Sequence, residues 1–219
     1  MIILAVGLGA IAAGAMLYRA QQRVALAPAT ATAAIETTDT KRGAKAPPTR
    51  GNPQAKITIE EFADFQCPPC AALAHNMHKF EEDYRGQLRI VFRHYPLANH
   101  KNARPAALAA EAAGAQGRFW EMHDLLYKEQ SAWAAAADAV PLFSAYAGTL
   151  GLDVARFTTD MQNKQLSARV EADQARAAAR GVSQTPTVFL NDRLVPAPSL
   201  NAAAMRALIE TALKGDPIP

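Results

Sequence analysis

Cysteine is scarce in this sequence: there are two in 219 residues, and both stand in the run Cys67-Pro68-Pro69-Cys70. No disulfide framework is available to brace a fold, so the core must come from packing. A chain without stray thiols also suits an oxidising compartment, where an extra cysteine invites wrong pairing. A strong charge balance is lacking too. The formal net charge is +3 and no basic run is interleaved with aromatics, which argues against nucleic acid as a partner. Lysine, arginine and acidic residues are all missing from Met1 to Tyr18, a stretch of Ile, Leu, Val, Ala, Gly and Met.

Apolar residues are plentiful. They make up 50% of the chain, enough for one core, and the length fits one domain plus extensions. As a helix, residues 1–18 would span roughly 27 Å, just short of a hydrocarbon core of about 30 Å. They read as an N-terminal membrane anchor or uncleaved signal. Cleavage is the alternative, although the Ala-x-Ala sites at Ala29-Thr30-Ala31 and Ala31-Thr32-Ala33 lie beyond Arg19 and Arg23. By the positive-inside rule those arginines would put the rest of the chain in the cytoplasm, whereas the cysteine chemistry argues for the other side. Residues 19–53, mostly Ala, Thr and Pro with scattered charges, read as a disordered tether; about 30 flexible residues reach roughly 30 Å.

The folded part is expected from residue 54. An alternating stretch, Ile57 to Phe65, runs into a helix whose buried face is Cys70, Leu73, Ala74, Met77, Phe80 and Tyr84, and which ends at Gly86. Leu88 to Tyr95, stopped by Pro96, is a second strand, so strand, helix and strand form a βαβ unit with a parallel pair. The patterns that follow are helical: Pro105–Ala115, Arg118–Glu129, Val140–Leu150, a segment capped by Asp153, and Gln165–Arg180. Thr187–Leu190, a turn at Asn191-Asp192 and Arg193–Val195 make a hairpin before a last helix from Ser199 to Leu213. The fold class is α/β: βαβ at 54–97 and ββα at 182–219, split by an all-helical insertion at 98–181.

Two thiols three positions apart at the mouth of a helix can close a small disulfide ring. Cys67 at the N-cap would place its sulfur at the positive end of the helix dipole, which favours a thiolate and makes Cys67 the nucleophile. Pro68 fits the first helical position, while Pro69 removes a second N–H and leaves Cys70 N–H as the nearest backbone donor. The thiol pKa should therefore be depressed but not extreme. Glu61 or Asp64 would serve as proton acceptor for Cys70, and alternation along the strand leaves both open. His94 is a candidate for tuning the pair, set against a structural role at a strand end. His123 reads as helix surface or core edge.

Four segments in order carry a resemblance: Glu61-Phe62-Ala63-Asp64-Phe65-Gln66-Cys67-Pro68-Pro69-Cys70, Phe92-Arg93-His94-Tyr95-Pro96-Leu97, Phe119-Trp120-Glu121-Met122-His123-Asp124-Leu125-Leu126 and Gly181-Val182-Ser183-Gln184-Thr185-Pro186-Thr187. From Asn52 onward the chain resembles the DsbA-like branch of the thioredoxin superfamily. The resemblance implies a thioredoxin fold with an inserted helical domain, Cys67 attacking or being attacked, Cys70 resolving the mixed disulfide, and Pro186 in cis. Thr185 would then offer backbone hydrogen bonds to an extended substrate. It also implies exported polypeptides with cysteines as substrates, a separate membrane redox partner that resets the pair, no cofactor beyond the Cys67-Cys70 disulfide, and a monomer on the periplasmic side. The Pro-Pro dipeptide departs from the Pro-His of the strongly oxidising members.

Other readings compete with this one. A structural disulfide in so small a ring gains only roughly 2 kcal/mol of loop entropy. Metal binding by Cys67, Cys70, His75 and His78 fails on distance, since Cys67 and His78 lie about 16 Å apart along one helix, and no metal site is expected. A tethered reductant, or a module that carries metal or unfolded chains without turnover, stands as the alternative to a dithiol oxidant.

Overall fold

A mixed sheet in the order β1-β3-β2-β4-β5 organises the protein. The strands are β1 (Thr49–Gly51), β2 (Ile57–Ala63), β3 (Leu88–His94), β4 (Thr187–Leu190) and β5 (Arg193–Leu194), in a computed structural model that describes residues 46–217. β2 and β3 run parallel, from Ile57 opposite Leu88 to Ala63 opposite His94. Parallel neighbours need a crossover, and α1 (Pro68–Asp83) provides it. β4 lies antiparallel on the other side of β2, with Phe62 opposite Thr187. β5 returns through a two-residue turn in which Asn191 and Asp192 adopt φ of 45° and 66°, a region these two residue types enter more readily than most.

Between β3 and β4 the chain forms α2 (Ala103–Gly114), α3 (Phe119–Lys128), α4 (Gln130–Trp133), α5 (Val140–Thr149), α6 (Val154–Asp160) and α7 (Lys164–Ala179), and after β5 comes α8 (Ala202–Lys214). This is the thioredoxin arrangement with a helical insertion that the sequence suggested. Asp153 caps α6, its carboxylate accepting from Arg156 N at 3.0 Å, and Asn163 and Asn201 cap α7 and α8 in the same way.

Helix α1 faces two cores, which is why the cysteines lie where sheet and insertion meet. Leu73, Met77 and Phe80 pack with Ile57, Ile59, Ile90 and Val188. Cys70 and Ala74 join Phe65, Phe92, Trp133, Phe143 and the alanines of α2. Those alanines, including Ala106, Ala109, Ala110 and Ala113, are fully buried, so small side chains let α2 approach its neighbours closely. Ionic contacts add a second bond between insertion and sheet. Glu60 accepts from Arg93 Nε at 2.8 Å, Arg176 Nε at 2.6 Å and Arg180 Nη1 at 3.2 Å, while Asp173 pairs with Arg93 and Arg169 and accepts from His94 N at 3.0 Å.

The structure departs from the sequence reading at the start of the fold. Thr49–Gly51, placed in the tether, pairs antiparallel with β3, and Pro48 O and Asn52 N extend the ladder at 3.0 and 2.9 Å. A three-residue edge strand held by backbone bonds shows no hydrophobic period to detect. Gly51 is required there: its φ is 84°, and a Cβ would come within 2.4 Å of Leu88 O. The anchor at 1–18 and the tether up to residue 45 lie outside the described residues. No helix among the described residues is long and apolar enough to cross a membrane.

Candidate active site

β2 ends in the loop Asp64-Phe65-Gln66, and Cys67 follows as the N-cap of α1 with φ −80° and ψ 118°. Cys67 N donates to Asp64 O at 3.1 Å, while Cys70 N and Ala71 N return to Cys67 O at 3.1 and 3.3 Å. Pro68 and Pro69 open the helix, where the absent N–H groups break no helical bond. Both thiols are free; Cys67 is 5% exposed and Cys70 is fully buried. The Thr185–Pro186 peptide is cis, and Thr185 O accepts from Cys67 Sγ at 3.5 Å.

The two thiols are electrostatically unlike. Cys67 falls from the ordinary 9.0 to about 6, first because the Cys70 thiol donates to its sulfur, against the opposing effect of burial, and then because the Thr185 side chain and Cys70 N–H also favour the anion. Cys67 makes no side-chain cap bond to the helix, so the dominant donor is the partner thiol rather than the helix end alone. Burial pushes the Cys70 thiol up, and the charges of Cys67 and Glu61 push it further. The pair thus holds one anion at Cys67 and one proton at Cys70.

The two carboxylates left open by the sequence differ in their surroundings. Asp64 is fully engaged: Oδ1 accepts from Gln66 N at 2.6 Å, and Oδ2 accepts from Leu97 N at 2.9 Å and meets His100 Nδ1 at 2.7 Å. It holds the loop. Glu61 is buried with no partner for Oε1, and burial raises its carboxyl to about 8, with Arg50 pulling back and Cys67 pushing further. Of the two carboxylates it is the one with an unpartnered oxygen, and its charge is among those that act on Cys70. His94 bonds Glu111 Oε1 at 2.9 Å and packs among Phe65, Phe92 and Phe119, a structural setting.

Tyr127 and Gln130 escaped the sequence reading of the site, and His123 lies deeper than that reading placed it. Tyr127 on α3 buries a hydroxyl without a partner, its pKa raised by burial and then by Cys70 and Glu61. Only the helical period of α3 hinted that it faces inward. His123, expected at a surface or core edge, is 2% exposed among the rings of Phe65, Phe92, Trp120 and Tyr127, and burial lowers its pKa to about 4. Gln130 Nε2 donates to Phe65 O at 2.7 Å and Cys67 O at 3.1 Å, and no motif announces it. Beside the pair lies a groove of about 430 Å³ lined by Pro69, Leu73, Asn76, Thr185, Pro186 and Leu200, with no charged residue on its walls.

Fold and site define a class: a thioredoxin-fold protein with a low-pKa thiol at a helix N-terminus, a buried thiol behind it and a cis-proline loop against it. The sequence profile of the family described as Thioredoxin matches residues 43–211. The chain belongs to that family. Oxidised BdbD from Bacillus subtilis superposes with a TM-score of 0.69 at 24% identity, covering 77% of this chain and 94% of that one. A thioredoxin-like oxidoreductase from Silicibacter pomeroyi gives a TM-score of 0.64 at 26% identity, covering 77% and 92%. Among curated proteins, Na(+)/H(+) antiporter NhaA 3 of Salinispora tropica is 39% identical over 170 residues, 75% of this chain, and NhaA of Herminiimonas arsenicoxydans is 36% identical over 166 residues, 76% of this chain. The chain spans 25% of the length of each of these curated relatives.

Proposed function

We propose that the protein is a dithiol oxidant of exported polypeptides, working outside the cytoplasm and held at the membrane by residues 1–18 and the tether. A substrate thiolate attacks Cys67 Sγ, the Cys67–Cys70 bond breaks, and its electron pair leaves on Cys70. That buried thiolate takes the Glu61 proton. A second substrate thiolate attacks the substrate sulfur of the mixed disulfide and expels Cys67 as a thiolate. Two substrate thiols have then become a disulfide, and the protein holds the electrons until a membrane redox partner removes them.

The observation that carries this direction is the placing of Cys67 at the N-cap of α1 between Cys70 and Thr185, surroundings that lower its pKa to about 6. A low-pKa thiol leaves faster and stabilises the reduced protein. At pH 7 that pKa favours the reduced form about tenfold over an ordinary thiol, which raises the potential by about 30 mV. Thr185 O accepts from Cys67 only while that sulfur carries a proton; in the disulfide form it is free to accept a substrate N–H, and the uncharged groove receives the flanking residues as an added strand.

The reductant reading has one observation of its own: a pKa of about 6 lies nearer to thioredoxin, at about 7, than to DsbA, at about 3.5. Equilibrating the full chain with glutathione buffers decides between them. A potential well above the roughly −270 mV of thioredoxin, toward the −120 mV of DsbA, is expected. A value at or below thioredoxin's makes the protein an electron donor, and a chain that exchanges nothing is a binding module.

A further inference from the structure

Gln130 takes no part in these steps, yet it reaches from the helical insertion to the backbone of the nucleophile. Its Nε2 donates to Phe65 O at 2.7 Å and to Cys67 O at 3.1 Å. Cys67 O already accepts from Cys70 N and Ala71 N, so the carbonyl that starts α1 meets three donors. The donor from Gln130 comes from a rigid base. Trp133, at the other end of α4, is fully buried, donates Nε1 to Leu126 O at 2.8 Å and packs edge-on against Phe143 at 5.2 Å.

Two more amides strengthen the same junction. Asn102 Nδ2 donates to Ala136 O at 2.9 Å and Trp133 O at 3.2 Å, and Asn102 N donates to Gln66 Oε1 at 2.8 Å. Gln66 Nε2 returns to Ala134 O at 3.0 Å. Gln66, Asn102 and Gln130 thus splice the loop before Cys67 to the segment 130–136. None of the three titrates, so the grip is the same in every ionisation state of the cysteines.

We propose that Gln130 is a positioning residue for thiol–disulfide exchange: through Phe65 O and Cys67 O it fixes the Phe65–Gln66 and Cys67–Pro68 peptide planes, one before and one after Cys67, and so holds Cys67 Sγ against Thr185. The inference rests on the exchange reaction proposed above. Its physical basis is the pair of prolines after Cys67, which remove two consecutive backbone donors at the point where the helix should stabilise an anion. The amide of Gln130 brings a donor back to that point. It adds a third donor to the Cys67 carbonyl and so weakens the negative potential beside the thiolate.

Gln130→Met keeps length and removes the donor; Gln130→Lys restores a donor. In the reduced full chain, the Cys67 thiolate is titrated by its absorbance at 240 nm, exchange with a cysteine-containing peptide is timed, and melting is recorded. Gln130→Met should raise the thiolate pKa by about half to one unit, slow exchange below pH 6 about two- to threefold and lower melting by about 4 °C or less. Gln130→Lys should return pKa and rate to the wild-type values or beyond. A Gln130→Met protein with wild-type pKa and rate overturns the proposal, as does a Gln130→Lys protein that shares the methionine variant's losses. If Gln130→Met does not fold, Gln130→Asn decides: its shorter amide cannot keep both bonds, so a thiolate pKa above wild type supports the proposal and an unshifted one overturns it. If wild-type protein exchanges nothing, the function proposed above falls, while the titration still judges the hold of Gln130 on Cys67.

Discussion

Thr185→Val removes one hydroxyl from the Cys67 site and nearly preserves side-chain shape. In the dithiol protein Thr185 Oγ1 is buried without a hydrogen-bond partner, so it is free to turn its proton to the Cys67 thiolate, and the Thr185 side chain is one of the groups that lower the Cys67 pKa. A hydrogen bond to a charged group contributes about 1.5–3 kcal/mol, and one pKa unit corresponds to about 1.4 kcal/mol. Removing it should raise the thiol from about 6 to about 7–8. At pH 7 ionisation favours the reduced form by about elevenfold with a pKa of 6, but only by about 1.3-fold with a pKa of 7.5. The difference of about eightfold lowers the reduction potential by about 27 mV, at 29.6 mV per decade for two electrons.

The sign extends to stability. A thiol whose folded pKa is depressed from 9.0 to about 6 stabilises the reduced fold fully above pH 9 and loses that stabilisation as pH falls through 6. Thr185→Val should narrow this window from its low-pH side. Absorbance at 240 nm across pH 4–10, with glutathione equilibration at pH 7, measures both quantities. A thiol pKa within about 0.3 units of wild type, or a potential that rises, would refute the assignment of the hydroxyl as a thiolate donor.

Cys70→Ser should accumulate mixed disulfides through Cys67 on non-reducing gels, and Cys67→Ser should accumulate none, because the buried thiol is neutral and out of reach. Glu61→Gln should slow the step in which Cys70 gains or loses its proton by about a hundredfold in stopped-flow single turnover. Because burial raises Glu61 to about 8, the wild-type fold loses stability as pH climbs from about 4.5 to 8, and the glutamine variant should show a flatter melting profile over that range. His123, held neutral with a pKa near 4, costs stability progressively as pH falls from 6.5 toward 4, so His123→Phe should melt with less acid dependence in that interval. Glu60→Ala leaves the guanidinium groups of Arg93, Arg176 and Arg180 without their shared carboxylate, and a loss of about 3–5 kcal/mol in urea unfolding is expected.

Local order made much of this protein legible. Alternation and the three-and-four period mark β2, α1, β3 and the insertion helices other than the four-residue α4 to within a few residues, because burial on one face imposes those periods wherever an element is long enough. The reactive pair could be read for the same reason: two cysteines at a helix start need only their neighbours to suggest their chemistry. β1 could not be read, since three residues bound through backbone groups carry no apolar signature. The choice between Glu61 and Asp64 also belonged to the tertiary structure. Both sit at the end of one strand, and they differ only because Leu97 and His100 come back to Asp64 while nothing comes back to Glu61 Oε1. Gln130 and Thr185 meet Cys67 across 63 and 118 residues of sequence. The sequence by itself determined which atoms can exchange electrons; the distant groups that set proton positions and hold the sulfur were decided by packing, because hydrogen bonds and burial act through space and leave no period along the chain.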